Sequence, residues 1–205
     1  IRCGKCAKAC PYHAIIHLER PCQASCGMDA IGSDEHGKAT INQDKCVACG
    51  QCLVSCPFGA IVDKGQIFQV IQSILKGDKV IAIVAPAFIG QFSGMVSPGK
   101  LVTAMKMLGF DSVVEVAIGA DMCTIEEAKD FLEKVPGEQD YMATSCCPAW
   151  VKYLENENPK YLKNISTCKS PMEMVGAIFR DKYAEKDAQD GRTTYHIAIM
   201  PCTAK

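Results

Sequence analysis

The feature that most constrains this chain is a run of four cysteines that ends in Cys-Pro. Its spacing is C-x2-C-x2-C-x3-C-P, and its members are Cys46, Cys49, Cys52 and Cys56. Proteins use this spacing to wrap iron–sulfur clusters. Nine of the fourteen cysteines fall within residues 3–56, and this clustering favours metal binding over a disulfide framework. We therefore expect reduced thiols and an anaerobic, cytoplasmic setting.

An incomplete copy of the same run lies upstream. Its members are Cys3, Cys6 and Cys10, and the repeat predicts one further cysteine directly before the first residue. In two-cluster ferredoxins, the fourth cysteine of each run ligates the other cluster. The first three cysteines of the complete run should therefore share a [4Fe–4S] cluster with Cys10. Cys3, Cys6 and the predicted cysteine before the first residue should share the other with Cys56. This predicts a small α+β, two-cluster ferredoxin-like domain over residues 1–66, truncated at its N-terminus.

A third cysteine pair lies between the two runs. Cys22 and Cys26 copy the second half of a cluster run, with Gly27 in place of the usual proline. They are interpreted as ligands for a further cluster, as alternate ligands for one of the two, or as spare thiols of a decayed repeat. A turn-rich stretch with Asp34 and Gly37 follows and predicts a hairpin before the complete run.

From residue 67 onward, strand and helix patterns alternate. Strands are predicted at 80–84, 112–118, 141–145 and 195–200. Helices are predicted at 66–75, 98–108, 124–135, 148–155 and 171–188. This alternation indicates an α/β lobe with a parallel sheet covered by helices on both faces. Ser170 and Glu173 are spaced as a capping box for the last helix, and the carboxyl ends of the four strands should form the active edge of the sheet.

Two short motifs lie at such strand ends. The first is Thr-Ser-Cys-Cys-Pro-Ala-Trp from Thr144, and the second is Met-Pro-Cys-Thr-Ala-Lys from Met200. Pro148 is well placed to begin a helix, so Cys146 and Cys147 should lie at a strand-to-helix corner. A helix N-terminus lowers the pKa of a nearby thiol and favours bound anions.

Together with the ferredoxin-like segment, these motifs resemble those of the [FeFe]-hydrogenases over essentially the whole chain. The resemblance implies an H-cluster, which is a [4Fe–4S] cubane linked to a diiron site with CO, CN⁻ and a dithiolate bridge. It implies that Cys147 and Cys202 ligate the cubane and that Cys146 relays protons. It also implies that four further residues contact the diiron site: Ala85, Pro86, Met200 and Lys205.

The resemblance also implies a proton route. Glu127 and Asp130 match two acids one turn apart on a helix, and Ser166 matches a serine of that route. Asp130 departs from the glutamate of many members, and Cys123 and Cys168 are unusual at their positions. These departures suggest a divergent subgroup with a modified proton path.

The family's third motif, which carries two more cubane cysteines in a second lobe, is absent from this sequence. Residues 67–205 are therefore expected to be the first lobe of the catalytic domain, and both chain ends are expected to be cut. Three explanations for the missing lobe are open. It has been removed by truncation, it lies in a region that the structure does not describe, or it belongs to a second polypeptide. Further implied partners are a ferredoxin-like electron carrier and the H-cluster maturation proteins.

Composition narrows the function classes. The net charge is −1, with 22 basic and 23 acidic residues, so no nucleic-acid partner is expected. No apolar run reaches the length of a membrane span. The leading hypothesis is an enzyme, a ferredoxin hydrogenase that catalyses reversible H2 oxidation. The alternatives are a non-catalytic iron–sulfur cluster carrier or assembly relative, and an H2-sensing regulatory homologue.

Overall fold

The computed structural model describes residues 5–12, 14–15, 19–92 and 94–205. The chain forms two compact units, the first extending to Asp63 and the second running from Lys64 to Lys205. The functional assignment of domains to 1–66 and 67–205 stays a prediction.

The described residues of the first unit form short helices and a hairpin. Its elements are α1 (Lys5–Ala9), α2 (Pro21–Ala24), β1 (Ile31–Ser33), β2 (Ala39–Ile41) and α3 (Gln51–Val54). β1 and β2 pair antiparallel, with Ile31 opposite Ile41. The Asp34 carboxylate accepts backbone hydrogen bonds from His36 (3.0 Å) and Lys38 (2.6 Å), which closes the turn. The predicted hairpin is therefore confirmed.

The second unit alternates helices with strands. Its helices are α4 (Ile67–Lys76), α5 (Pro98–Met107), α6 (Ala117–Lys134), α7 (Pro148–Glu157) and α8 (Pro171–Asp190). Its strands are β3 (Lys79–Val84), β4 (Ser112–Glu115) and β5 (Thr194–Ile199). Short 3-10 turns occur at Pro86–Phe88 and Pro159–Asn164.

These strands form a parallel sheet in the order β4-β3-β5, with β3 at the centre. Successive side chains of a strand point to opposite faces. Val80, Ala82 and Val84 therefore form a core with residues of α4 and α5 on one face. On the other face, Ile81 and Ile83 pack with Val175 of α8. The predicted parallel sheet with helices on both faces is confirmed.

Two predicted strands are wrong in extent or in place. The strand predicted at 112–118 ends at Glu115, because α6 already begins at Ala117. The segment at 141–145 does not join the sheet. Ala143 instead makes a single parallel bridge with Ile165, since its backbone bonds go to Asn164 (2.8 Å) and Ser166 (2.7 Å). Among the described residues the sheet therefore has three strands, where four were predicted.

Candidate cluster and catalytic sites

Three of the predicted site residues follow the strand ends of β3 and β5. Ala85 donates its backbone N–H to the Ile199 carbonyl at 3.1 Å, so the two chain segments leave the sheet side by side. Pro86 is exposed at the start of a 3-10 turn. The Met200 side chain is half-buried and packs against the core of Ile81, Ile83 and their neighbours.

The two adjacent cysteines lie at the start of α7. Cys147 is the N-cap residue with an extended backbone (φ −100°, ψ 107°), and Pro148 is the first helical residue. Cys147 is exposed, whereas Cys146 is half-buried. The predicted helix start at Pro148 is thus confirmed, although the segment before it forms a single bridge and not a sheet strand.

Cys146 and Lys205 line the same cleft, which has a volume of about 440 Å³. Ser145, Ser170 and Glu173 also line it. The Glu173 carboxylate accepts the backbone N–H of Ser170 at 2.9 Å. This bond is the largest cause of the lowered pKa of Glu173, and the positive charge of Lys205 lowers that pKa further. The cleft therefore combines a thiol, a cation and a carboxylate.

The predicted cubane ligand Cys202 is half-buried, and its carbonyl accepts the Lys205 N–H at 3.4 Å. Neither Cys147 nor Cys202 lines the cleft of Cys146 and Lys205. Sequence reasoning missed Ser145, Ser170 and Glu173 as cleft residues. The capping box identified the last two, but nothing in a local pattern shows which cleft a helix N-terminus faces.

Three thiols interact near the segment that joins α7 to α8, namely Cys123, Cys146 and Cys168. Cys123 of α6 is buried, contacts the side chain of Cys168 and donates to the Lys169 carbonyl with a sulfur–oxygen distance of 3.6 Å. Burial raises the pKa of Cys123 to about 11, and the charge of Glu127 adds to this shift. Cys146 also contributes to the shift, although less. Cys123 is therefore protonated at neutral pH.

The three residues predicted for the proton route have different surroundings. Ser166 is buried, and its hydroxyl accepts the Cys168 N–H at 3.1 Å. Glu127 buries its Oε1 atom without a hydrogen-bond partner in the described part of the chain. Asp130 forms an ion pair with Lys134 at 3.3 Å. Cys123 and Cys168, which are unusual at their positions in the family pattern, contact each other. Cys123 also interacts with Glu127, and Cys168 donates to Ser166.

The cysteines of the complete run in the first unit have backbone partners. The Cys56 sulfur accepts the Ala60 N–H at 3.3 Å, and the Cys46 sulfur accepts the Ala48 N–H at 3.4 Å. Such backbone bonds lower the pKa of the Cys56 thiol. Burial, supplemented by the charges of two neighbouring thiolates of the run, raises the pKa of Cys52.

The cysteines of the complete run have the spacing of cluster ligands, and a [4Fe–4S] cluster takes one thiolate at each of its four irons. Within the described residues, no three His, Cys, Asp or Glu side chains converge to hold one metal ion. In the upstream run, Cys6 is exposed and Cys10 is half-buried, while Cys3 lies outside the described residues.

Comparison with known families identifies both parts of the chain. Residues 78–205 match the C-terminal domain of the iron-only hydrogenase large subunit. The chain belongs to this family. Residues 16–67 match the LdpA Fe-S cluster-binding domain, which supports an iron–sulfur function for the first unit.

Two hydrogenases illustrate this relationship. Iron hydrogenase 1 of Clostridium pasteurianum is 36% identical over 134 residues, which is 62% of this chain and 23% of that protein. The periplasmic [Fe] hydrogenase large subunit of Nitratidesulfovibrio vulgaris is 37% identical over 147 residues, or 66% of this chain and 35% of that protein. The chain thus spans about a quarter to a third of the length of these relatives.

A solved structure supports the fold. A variant of [FeFe]-hydrogenase HydA1 from Chlamydomonas reinhardtii aligns with a TM-score of 0.59 and 30% identity, covering 67% of this chain and 38% of that chain. No helix in the described residues is long and apolar enough to cross a membrane.

Other relatives are named as cluster assembly factors and not as hydrogenases. The cytosolic Fe-S cluster assembly factor NAR1 of Scheffersomyces stipitis is 34% identical over 102 residues, which is 49% of this chain and 19% of that protein. Membership of this family therefore establishes hydrogenase-like ancestry, while the activity of the chain is a separate question.

Proposed function

We propose that this chain is part of an [FeFe]-hydrogenase that catalyses H2 ⇌ 2H⁺ + 2e⁻, with electrons relayed through iron–sulfur clusters. The observation that carries the proposal is the shared cleft of Cys146 and Lys205. These residues come from two separate motifs. One supplies a thiol that can exchange a proton, and the other supplies a compact cation for an anionic ligand.

Cys147 and Cys202 are the residues of this chain that would hold the cubane of the H-cluster. Thiolates are the usual ligands of such clusters, so the donor set fits. When bound, the H-cluster supplies the metal centre at which protons and electrons combine. Lys205 would attract an anionic ligand of that centre, and Ala85, Pro86 and Met200 would pack around it.

Protons would reach Cys146 through the polar residues of α6 and of the segment before α8. Glu127 presents a buried, unpartnered carboxylate oxygen among the described residues, and an unpaired buried acceptor is costly unless a donor reaches it. Ser166 is a buried hydroxyl that accepts the N–H of Cys168, and Cys168 contacts Cys123 of α6. Asp130 would act at the outer end of the route, where Lys134 competes for its carboxylate.

The proposal includes partners and location. A ferredoxin-like carrier would exchange electrons with the [4Fe–4S] clusters of the first unit. A further lobe or a second polypeptide would supply the remaining cubane ligands, and maturation proteins would deliver the diiron site. We place the protein in the cytoplasm because its cysteines suit reducing conditions.

A second candidate is a protein that carries or assembles iron–sulfur clusters without hydrogen chemistry. The similarity to the cytosolic assembly factor favours it. An H2-sensing homologue would keep the same ligands but turn over slowly. The intact motifs around Cys146 and Cys202 favour the hydrogenase over the cluster carrier, and the rate of H2 turnover separates it from the sensor.

Infrared spectroscopy of the full-length protein, produced together with the maturation proteins, distinguishes the hydrogenase and the sensor from the cluster carrier. A hydrogenase or sensor should show bands of bound CO and CN⁻, and their absence would exclude both. Cys146→Ala should keep the bands and lose most H2 turnover, whereas Cys202→Ala should lose the bands. Retained turnover in Cys146→Ala would exclude Cys146 as the proton relay.

A further inference from the structure

The segment around Cys22 and Cys26 repeats the backbone of the segment around Cys52 and Cys56. α2 and α3 are both four residues long. Ser25 follows α2 with φ −86° and ψ −9°, and Ser55 follows α3 with φ −82° and ψ −7°. The two helices therefore end in the same way.

The backbone hydrogen bonds repeat as well. The N–H of Ser25 donates to Pro21 at 3.0 Å, and that of Ser55 donates to Gln51 at 3.0 Å. One residue later, the N–H groups of Cys26 and Cys56 donate to carbonyls within α2 and α3 at 3.2 and 3.4 Å. Cys26 therefore occupies the same place in its turn as Cys56.

The turn after each of these cysteines is also the same. Gly59 has a φ of 60°, and Asp29, the equivalent residue, has a φ of 47°. Left-handed backbone is uncommon for a residue other than glycine, and Asp29 adopts it nonetheless. The two turns thus share one conformation, although the turn after Cys26 lacks both the proline and the glycine of the complete run.

This turn directs a backbone N–H at each sulfur. Ala30 donates to the Cys26 sulfur at 3.4 Å, and Ala60 donates to the Cys56 sulfur at 3.3 Å. Hydrogen bonds to the sulfurs are among the features that tune iron–sulfur clusters, and they stabilise the negative charge of a metal-bound thiolate. The match to an Fe-S cluster-binding domain over 16–67 includes both Cys22 and Cys26.

We propose that Cys22 and Cys26 are cluster ligands, with Cys26 completing the [4Fe–4S] cluster of Cys46, Cys49 and Cys52. The fourth cysteine of each run ligates the other cluster in two-cluster ferredoxins. Because α3 packs against α2, we take their two segments as the runs that exchange their fourth cysteines. Cys22 and Cys56 then belong to the second cluster. This assignment replaces Cys10 at the first cluster, and it does not depend on hydrogenase activity.

Double substitutions test which cysteines share a cluster. The full-length protein is reconstituted anaerobically with ferrous iron and sulfide, and reduced [4Fe–4S] clusters are counted by EPR spin integration. Cys26→Ala and Cys46→Ala should each remove one cluster, and the double variant should remove the same one. Cys22→Ala combined with Cys46→Ala should remove two. A full cluster count in Cys26→Ala, or loss of two clusters when it is combined with Cys46→Ala, would overturn the proposal.

Alkylation of the unsubstituted protein gives a test that is independent of the folding of variants. Cys26 is half-buried, so iodoacetamide should label it after a chelator removes the iron, and should label it at least about tenfold more slowly in the cluster-loaded protein. Cys168 is also half-buried and is assigned to no cluster, so it serves as the control. Equal labelling of Cys26 in both states would contradict its role as a ligand.

Discussion

Gly119 of α6 lies directly against Pro171 at the start of α8. A Cβ atom at position 119 would be 2.2 Å from the Pro171 carbonyl oxygen and 2.6 Å from a methyl group of Val175. Both distances are far shorter than van der Waals contact. The close approach of α6 and α8 therefore requires glycine, and it connects the helix of Glu127 to the helix whose capping box lines the cleft.

Gly119→Ala should lower the free energy of unfolding by about 3 kcal/mol, the upper end of the usual cost of overpacking, since the clash is with backbone. Gly176→Ala is the matched control, because nothing lies within 4 Å of a Cβ there. It should raise stability by about 0.5–1 kcal/mol, because alanine is the better helix former. Urea unfolding followed by the fluorescence of Trp150, the single tryptophan, measures both. Equal stability of the two variants would contradict this interpretation of the helix contact.

His196 should make the second unit less stable in mild acid. Burial lowers its pKa, an effect to which Arg180 and Lys79 add and which Asp187 opposes. Its Nε2 atom is buried without a partner among the described residues. Because the folded state disfavours the charged imidazole, the unfolded state binds more protons, and stability falls as the pH drops below the unfolded pKa of about 6.5.

The test compares unfolding free energies between about pH 7 and pH 5. The protein should lose stability across this interval, and His196→Gln should lose distinctly less. His196 is the only histidine of the 64–205 segment, so Trp150 fluorescence reports this unit without interference from another imidazole. An unchanged pH dependence in His196→Gln would assign the effect to carboxylates.

Ser170→Ala should cost about 1 kcal/mol of stability, the usual value for a lost N-cap. Ser170 and Glu173 form both hydrogen bonds of a capping box at the start of α8. Each substitution removes one side-chain bond, of 3.5 Å at Ser170 and 3.4 Å at Ser97. Ser97→Ala is the control, because Ser97 is exposed and water can replace its bond, whereas Ser170 is buried, so the loss for Ser97→Ala should be smaller. Thermal unfolding monitored by circular dichroism compares them, and a larger loss for Ser97→Ala would contradict the ranking.

Local patterns predicted much of the fold. The apolar run at 80–84 predicted a buried parallel strand, and it is β3, which lies between two parallel neighbours. The capping box placed the start of α8 at Pro171. Both features depend on side chains close in sequence, and this is the information that a single sequence contains.

Other features depend on contacts between distant parts of the chain. The β-branched residues at 113–118 fit a strand, yet the chain turns into α6 at Ala117, where Gly119 allows close packing on α8. Ala143 pairs with Ile165 although its own segment fits a sheet strand equally well. The cleft that joins Cys146 to Lys205 likewise arises from tertiary packing. The two motifs were visible in the sequence, but their shared cleft was not.

Cys123 should be unusually slow to alkylate. Burial raises its pKa to about 11, so about 0.1% of it is thiolate at about pH 8, against about a quarter for an unperturbed thiol of pKa about 8.5. Iodoacetamide should therefore label Cys123 at least about 100-fold more slowly in the folded, metal-free protein than in urea. Glu127→Gln removes a neighbouring negative charge that contributes to the shift, so it should speed labelling of the folded protein. Mass spectrometry of peptides measures each rate, and equal rates in folded and unfolded protein would contradict the raised pKa.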